Sequence, residues 1–384
     1  MSLSSWLTFL SVVLSLLSLI HTFIAVHLWS LLPGGWPRFL LIPLFLFLGT
    51  AYVAGRALET HAPSLSTPLL HLGSWWLGAM TYLFLGCVVA DVFLLTFRFL
   101  PGYAPDLLPT GRIYFITLGL LTAAVLFVGH LNVLFPAVRS VSLPRSSTSS
   151  FHSSIPPSSP LRLAVASDLH LCALVSPERL NRVVDQINEL KPDLILLPGD
   201  VIDEDLFHTP RGIAFAGLLK QLRAPLGVIA VTGNHEWISG ADRAVAWLES
   251  CGITVLRDQA VDLGPVVVAG REDIAGPRFG AGAGMSLAGI LRGTDRSKPL
   301  IVLDHQPVRI PEAVEAGADL LLCGHTHHGQ FWPFQWITQR LFPVSHGLRA
   351  FGQTQVYVSC GAGAWGPQVR TSSRSEIVLI EWDK

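Results

Sequence analysis

Charge is what this chain has least of. Asp, Glu, Lys and Arg make up 14% of its 384 residues, against 50% hydrophobic residues, and the mean hydropathy is +0.49. Those totals exclude a single water-soluble globule and require a membrane part. A net charge of -1 leaves no basic excess, so no nucleic-acid binding is expected. Cysteine is also scarce: Cys87, Cys172, Cys251, Cys323 and Cys360 are scattered, with no CxxC pair. That spacing argues against a disulfide framework and against a zinc-thiolate site. Internal repeats are absent, and the length leaves room for two domains.

What is abundant is apolar sequence before the polar part begins. Trp6 to Leu32, Phe39 to Gly55, Trp75 to Phe97 and Ile113 to Phe135 each approach or exceed the roughly 20 residues that cross a bilayer. The first run lacks a basic start and a small-residue cleavage site, so it reads as a span, not a removed leader. Pro43 makes the second run the weakest. Trp36, Trp75, Trp76, Tyr103 and Tyr114 sit near the expected ends, as interfacial aromatics do. His21, His27 and His130 read as helix-packing or near-interface groups. Asp91 is an intramembrane carboxylate and a functional candidate by default; Arg98, seven residues on, lies roughly on the same helical face near the membrane edge, so a structural pairing or a snorkelled charge is the alternative reading. Four spans put the N-terminus and the C-terminal part on one side. Arg56, Arg139 and Arg145 on that side balance Arg38, Arg98 and Arg112 on the other, so charge does not decide the side, which is read with only a weak lean to the cytoplasm.

From Ser140 to Pro160 the composition turns to Ser and Pro, which cannot bury enough surface to order a segment. The expected organisation is therefore a transmembrane region over 1–139, a linker over 140–160 and a soluble domain over 161–384. In that domain short apolar strands alternate with helices, at about Pro177 to Leu190, Gly212 to Leu222 and Ala241 to Ser250; the second half is richer in strands. Five strand ends each deliver metal-type ligands: Asp168 and His170, Asp200, Asn234 and His235, His305, then His325 and His327. Ligands bind at the C-terminal edge of strands in open α/β sheets, and five such ends in succession are not a chance surface feature. Carboxylate, imidazole and amide-oxygen donors together suit Mn²⁺, Fe or Zn²⁺. The set exceeds the needs of one ion and suits two.

These blocks stand as Asp168-Leu169-His170, Gly199-Asp200-Val201-Ile202-Asp203, Gly233-Asn234-His235-Glu236, His305, and Gly324-His325-Thr326-His327. In that order they resemble the calcineurin-like metallophosphoesterases, over about residues 161 to 384. The closing Gly324-His325-Thr326-His327-His328-Gly329-Gln330 and the later Ser359-Cys360-Gly361-Ala362-Gly363 look like the membrane-associated bacterial branch. That branch more often has two glycines before the Gln; here His328 replaces the first. The resemblance implies a four-layer α/β/β/α sandwich with two facing mixed sheets. It also implies two divalent ions, one held by Asp168, His170 and His327, the other by Asn234, His305 and His325, with Asp200 bridging. His235 would meet the substrate and protonate the leaving oxygen. Asp203, Glu236 and Asp304 would orient ligands or cap helices. Arg271 and Arg370 would either bind phosphate or form plain salt bridges.

The activity this implies is metal-dependent hydrolysis of a phosphodiester or pyrophosphate, at the bacterial cytoplasmic membrane, with a bilayer and a phosphate-ester substrate as partners. Two other classes remain in play. One is a sensor that keeps the domain without turnover, and the other a receptor or transporter that carries the domain as a regulatory appendage. The aromatic stretch Phe331-Trp332-Pro333-Phe334-Gln335-Trp336, with Leu341-Phe342, fits no clean helix or strand period. It is either core packing or a bilayer-facing loop that admits a lipid-linked substrate.

Overall fold

The computed structural model describes residues 3–32, 34–59, 61–99, 111–144 and 160–383. Tyr103, Arg145 and residues 145–159 of the expected linker lie outside the described residues. The chain divides into two compact units, Met1–His130 with Gly366–Val369, and Leu131–Trp365 with Arg370–Lys384.

The first unit is built on α1 (Leu3–Leu31), α2 (Leu41–Leu58), α3 (Pro63–Phe97) and α4 (Gly111–Leu134), whose last residues pass into the second unit. All four are long and apolar enough to cross a membrane. Pro43 falls in the first turn of α2, where a missing N–H leaves no bond unmade. Helix α3 starts well before the expected Trp75, because Ser64, Ser66, Thr67, His71 and Ser74 break up the apolar run in the sequence. Those small polar residues serve packing: Ser66 Oγ donates to the Gly55 carbonyl of α2 at 2.8 Å, and both Ser66 and Ser74 are buried. Asp91 does not pair with Arg98. Its Oδ1 lies 3.0 Å from His27 Nε2 on α1, a partner that no reading of one helix face supplies.

The second unit opens with β1 (Ala137–Leu143), then β2 (Leu161–Val165), α5 (Pro177–Glu189), β3 (Leu194–Leu197), α6 (Pro210–Leu219), β4 (Val228–Val231), α7 (Asn234–Ser239), α8 (Ala241–Ser250) and β5 (Thr254–Leu256). There follow β6 (Gln259–Asp262), β7 (Val267–Gly270), α9 (Leu287–Ile290), β8 (Leu300–Leu303), α10 (Ile310–Glu315), β9 (Leu320–Cys323), α11 (Gln335–Leu341), β10 (Gly347–Phe351), β11 (Thr354–Val358) and β12 (Glu376–Trp382). The strands form two six-stranded sheets, ordered β1-β12-β2-β3-β4-β5 and β10-β11-β9-β8-β7-β6. Both are mixed: β12 runs antiparallel to β2, and β6 and β10 are the antiparallel edges of the other sheet. Strand β1 corrects the expected boundary. Residues 140–143, read as the start of a linker, pair in parallel with β12 from Ala137 opposite Glu376 to Leu143 opposite Trp382.

The central strands are buried on both faces, so they read as unbroken apolar runs without alternation. Leu163, Val165, Leu194, Leu196, Ile229 and Val231 of one sheet pack in a single cluster with Val268, Ile301, Leu303 and Leu322 of the other. The opposite face of the second sheet, Val267, Ala269, Val302 and Leu321, packs on Leu287 and Ile290 of α9 and Ile310 and Ala313 of α10. On the first sheet, α5 turns Leu180, Val183, Val184 and Ile187 inward. The layers are helix, sheet, sheet, helix. Strands β2, β3, β4, β8 and β9 all end where the ligand-type residues begin.

A candidate dinuclear metal centre

After β2, β3 and β9 the chain bends sharply, and the backbone is strained there. Nine described non-glycine residues have positive φ, and seven of them are Asp168, His170, Asp200, His325, His327, His328 and Gln330. A left-handed residue other than glycine costs of order 1–3 kcal/mol and persists only where its surroundings fix it. Asp and His tolerate the region better than most. Two glycines permit close approach. At Gly199 (φ 86) a Cβ would sit 2.7 Å from His305 Nδ1, and a Cβ at Gly324 would run into Ser167 Oγ and Asp168 Oδ2.

The strand ends bring seven of the eight expected residues into overlapping groups. Ligand atoms of Asp168, His170 and His327 lie within 4.8 Å of one another, as do those of Asp200, His305 and His325; Asp200 also groups with His170 and His235. Asp200 thus belongs to both halves, with Oδ2 3.0 Å from His305 Nε2 and 4.0 Å from His170 Nε2. Asn234 opens α7, and its Oδ1 is buried with no hydrogen-bond partner.

Tautomers follow from the outer contacts. His170 Nδ1 donates to Asp203 Oδ1 at 2.5 Å, and His305 Nδ1 donates to the Pro198 carbonyl at 2.8 Å. Both rings therefore aim Nε2 inward. His305 Nε2 makes no hydrogen bond, although a carboxylate oxygen of Asp200 is 3.0 Å away. Buried electron-pair donors turned toward one another, with an orphaned amide oxygen beside them, fit divalent cations. His327 differs. Arg370, a donor only, gives its Nη2–H to His327 Nδ1 at 2.6 Å. The His327 proton then sits at Nε2, 2.9 Å from His170 Nε2, and ligation through that nitrogen requires the proton to leave.

Burial alone would lower His170 and His305, but Asp203 raises His170 to about 10 and Asp200 raises His305 well above its ordinary value, so an entering cation must displace a proton from each ring. Burial alone would raise Asp168, but His327, His170 and His305 around it hold its carboxyl far below the usual range. Asp200 is likewise held down against its burial, by His305 and His235 first. Burial pulls His325 down to about 4, with His305 adding to the effect. Burial also keeps His327 well below its ordinary value, despite Asp168.

Supporting groups are as the motif spacing predicts in two cases. Asp203 Oδ1 accepts from both His170 Nδ1 and His235 Nδ1. The Glu236 carboxylate accepts from the backbone N–H of Gly233, Asp200, Val201 and Ile202 at 2.6–3.0 Å, tying two ligand loops together. Asp304 plays no such part; it pairs with Arg309 and lies 3.6 Å from Arg271. Arg370 is not free for phosphate: it spends its donors on Cys360 O, Gly363 O, Ser373 Oγ and His327. Arg271 is buried and pairs through Nη2 with Glu312, with Asp304 3.6 Å away, while its Nε and Nη1 make no hydrogen bond.

Trp365 escaped the sequence reading. Its ring centroid is 6.2 Å from that of His235, its side chain is exposed, and a reciprocal pair of hydrogen bonds with Gln330 fixes its backbone. The one signal was a bulky aromatic inside the glycine-rich stretch 361–366. Phe342 stands edge-on to His325 at 5.8 Å.

The sequence profile of the calcineurin-like phosphoesterases matches residues 161–329. An Aquifex aeolicus protein named uncharacterized metallophosphoesterase is 31% identical over 229 residues, 59% of this chain and 86% of that one. A Bos taurus transmembrane protein with metallophosphoesterase domain is 33% identical over 277 residues, 68% of this chain and 60% of its own. Phosphodiesterase YaeI of Escherichia coli is 29% identical over 235 residues, 58% of this chain and 82% of YaeI. Against two Helicobacter pylori relatives, 34% and 32% identical, the chain spans 59% of their length. The chain belongs to the calcineurin-like metallophosphoesterases, a family that binds a dinuclear metal site.

Proposed function

We propose that this protein is a membrane-anchored phosphoesterase that cleaves a phosphodiester or pyrophosphate bond in a lipid-linked substrate. One observation carries the lipid part. Immediately after the His325 to Gln330 turn, the chain exposes Trp332, Phe334, Trp336, Ile337 and Leu341 to solvent, and no residue of α11 is buried. Water-facing apolar surface of this kind marks an interaction site. Trp and Phe favour the headgroup boundary, and the same chain carries four helices long and apolar enough to span a bilayer.

In this reading Asp168, His170 and His327 hold one ion, Asn234, His305 and His325 the other, and Asp200 bridges. When bound, such a pair polarises the phosphoryl group and supplies a nucleophile at neutral pH. The remaining work falls to the chain's own groups. Asp203 fixes the His235 ring through Nδ1 at 3.0 Å, leaving Nε2 to donate a proton to the departing oxygen. Burial would lower the basicity of His235, but Asp203 and then Asp200 raise it. Glu236 keeps the Asp200 and Asn234 loops in register. Trp365 beside His235 offers a flat apolar wall to the leaving group. The complete donor set and the placement of His235 support turnover over a sensor role.

The test uses full-length protein in detergent with Mn²⁺ and compares a bis-aryl phosphodiester, an aryl monoester and a nucleotide-diphospho-glycolipid in mixed micelles. The expected order places the glycolipid or diester well above the monoester in kcat/KM. A clear preference for the monoester would discard the proposed bond class.

A further inference from the structure

Away from the ligands described above, one more group of donors converges. His346, Cys360 and Glu376 offer ligand atoms that all lie within 4.8 Å of one another. They come from the turn before β10, the residues after β11 and the first position of β12. Cys360 and Glu376 are fully buried, while the His346 side chain keeps 22% of its surface open, which leaves a way in. The carboxylate is firmly held. Its Oε1 accepts from Tyr357 Oη at 3.2 Å, Ser359 Oγ at 3.1 Å and Cys360 N at 3.1 Å. Its Oε2 faces His346 Nε2 at 3.2 Å and Arg139 Nε at 2.8 Å. Hydrogen bonds that orient a ligating carboxylate in this way are the usual support of a metal site.

His328 adds to the group. Its ring centroid is 5.2 Å from that of His346, and its Nδ1 is engaged by Ser345 Oγ at 2.8 Å, which leaves Nε2 for another partner. A thiolate, an imidazole and a carboxylate, with a second imidazole nearby, are the donors zinc takes in four-coordinate sites. Local Cys spacing cannot show such a site, because each ligand arrives from a different element.

We propose that His346, Cys360 and Glu376 form a separate, sulfur-containing Zn²⁺ site, with His328 able to supply a fourth ligand. On binding, the ion displaces the Cys360 thiol proton, which now points to the Arg374 carbonyl at 3.2 Å, and the Nε2 proton of the His346 imidazolium, leaving a neutral ring with its proton on Nδ1; both are released to solvent. Glu376 keeps its three donors on Oε1 and its pairing with Arg139. An ion there would tie the turn before β10 to β11 and β12.

The probe is Co²⁺, titrated into full-length, chelator-stripped protein in detergent. A sulfur ligand produces an intense near-ultraviolet thiolate-to-cobalt band. The proposed dinuclear ligands include no sulfur, so this band reports on the new site even if the dinuclear assignment fails. The expected result is a saturable band that is lost in Cys360→Ser together with one equivalent of bound cobalt. His346→Gln retains the thiol and the buried core, and it should weaken cobalt binding at the band by more than about tenfold. No near-ultraviolet band in the parent protein, or a band that survives Cys360→Ser, would overturn the proposal.

Discussion

Asp203 Oδ1 lies 3.0 Å from His235 Nδ1, and the same oxygen lies 2.5 Å from His170 Nδ1. One carboxylate oxygen therefore orients both a proposed metal ligand and the proposed acid. The rings stand at 90° with centroids 4.8 Å apart, so neither can turn without disturbing the other. Asp203 itself is held well below the usual carboxylate range: His170 and His235 outweigh its burial.

Removing the acid should separate chemistry from metal binding. In His235→Ala the metal content per chain is expected to stay at the parent value while kcat falls about 10²–10⁴-fold, the usual worth of positioned acid catalysis. Elemental analysis and steady-state kinetics on the same preparation decide it. Parent-level kcat at equal metal content would take His235 out of the mechanism.

Asp200 is the residue shared by both halves of the donor set. Asp200→Asn keeps the shape but replaces a carboxylate by a neutral amide, which bridges two dications poorly. The variant is expected to lose tight binding of the pair, read by metal analysis after dialysis. Two firmly retained ions per chain would contradict a bridging role.

Glu236 makes a different kind of test, because it touches no proposed ion. Four backbone N–H groups converge on its two oxygens. In Glu236→Gln an amide NH₂ must face two of those donors, leaving buried groups unpaired at about 1–3 kcal/mol each. A lower melting temperature is expected in metal-free protein, together with roughly 10–100-fold weaker metal affinity. Unchanged values of both would show that the carboxylate merely fills space.

The ligand constellation was legible because each residue follows a four- or five-residue strand that is buried almost throughout, such as Leu194–Leu197 or Leu320–Cys323. A buried strand announces itself as an apolar run, and the polar residue that ends it stands out. What the sequence concealed lies at edges. Strand β1 reads as polar because Val138, Arg139 and Ser140 are exposed on an edge strand. Helix α11 has no core face, so it shows no 3.6-residue period. The Asp91–His27 pair joins residues 64 apart on different helices, and the His346–Cys360–Glu376 group joins three elements. Neither leaves a local spacing to read.

The last expectation concerns Trp332 and Trp336, which are 50% and 59% exposed with ring centroids 5.9 Å apart. Of the two sequence-based alternatives for this stretch, core packing holds only for Phe331, which is buried. The backbone of Trp332 is anchored, its N–H donating to Thr371 Oγ1 at 2.8 Å, so the exposed ring projects from a fixed point. Burying large apolar side chains is worth about 1.5–3 kcal/mol each. Half of that for each Trp amounts to roughly 10–100-fold in apparent affinity for a lipid surface. Full-length protein carrying Trp332→Ser and Trp336→Ser, reconstituted in liposomes, should therefore lose about that factor in kcat/KM on a lipid-linked diester. Turnover of a small soluble ester should stay within about twofold of the parent, since neither ring touches the ligand set. A parallel fall in both activities, with a lower melting temperature, would mean that the rings support the fold and that the substrate need not come from a bilayer.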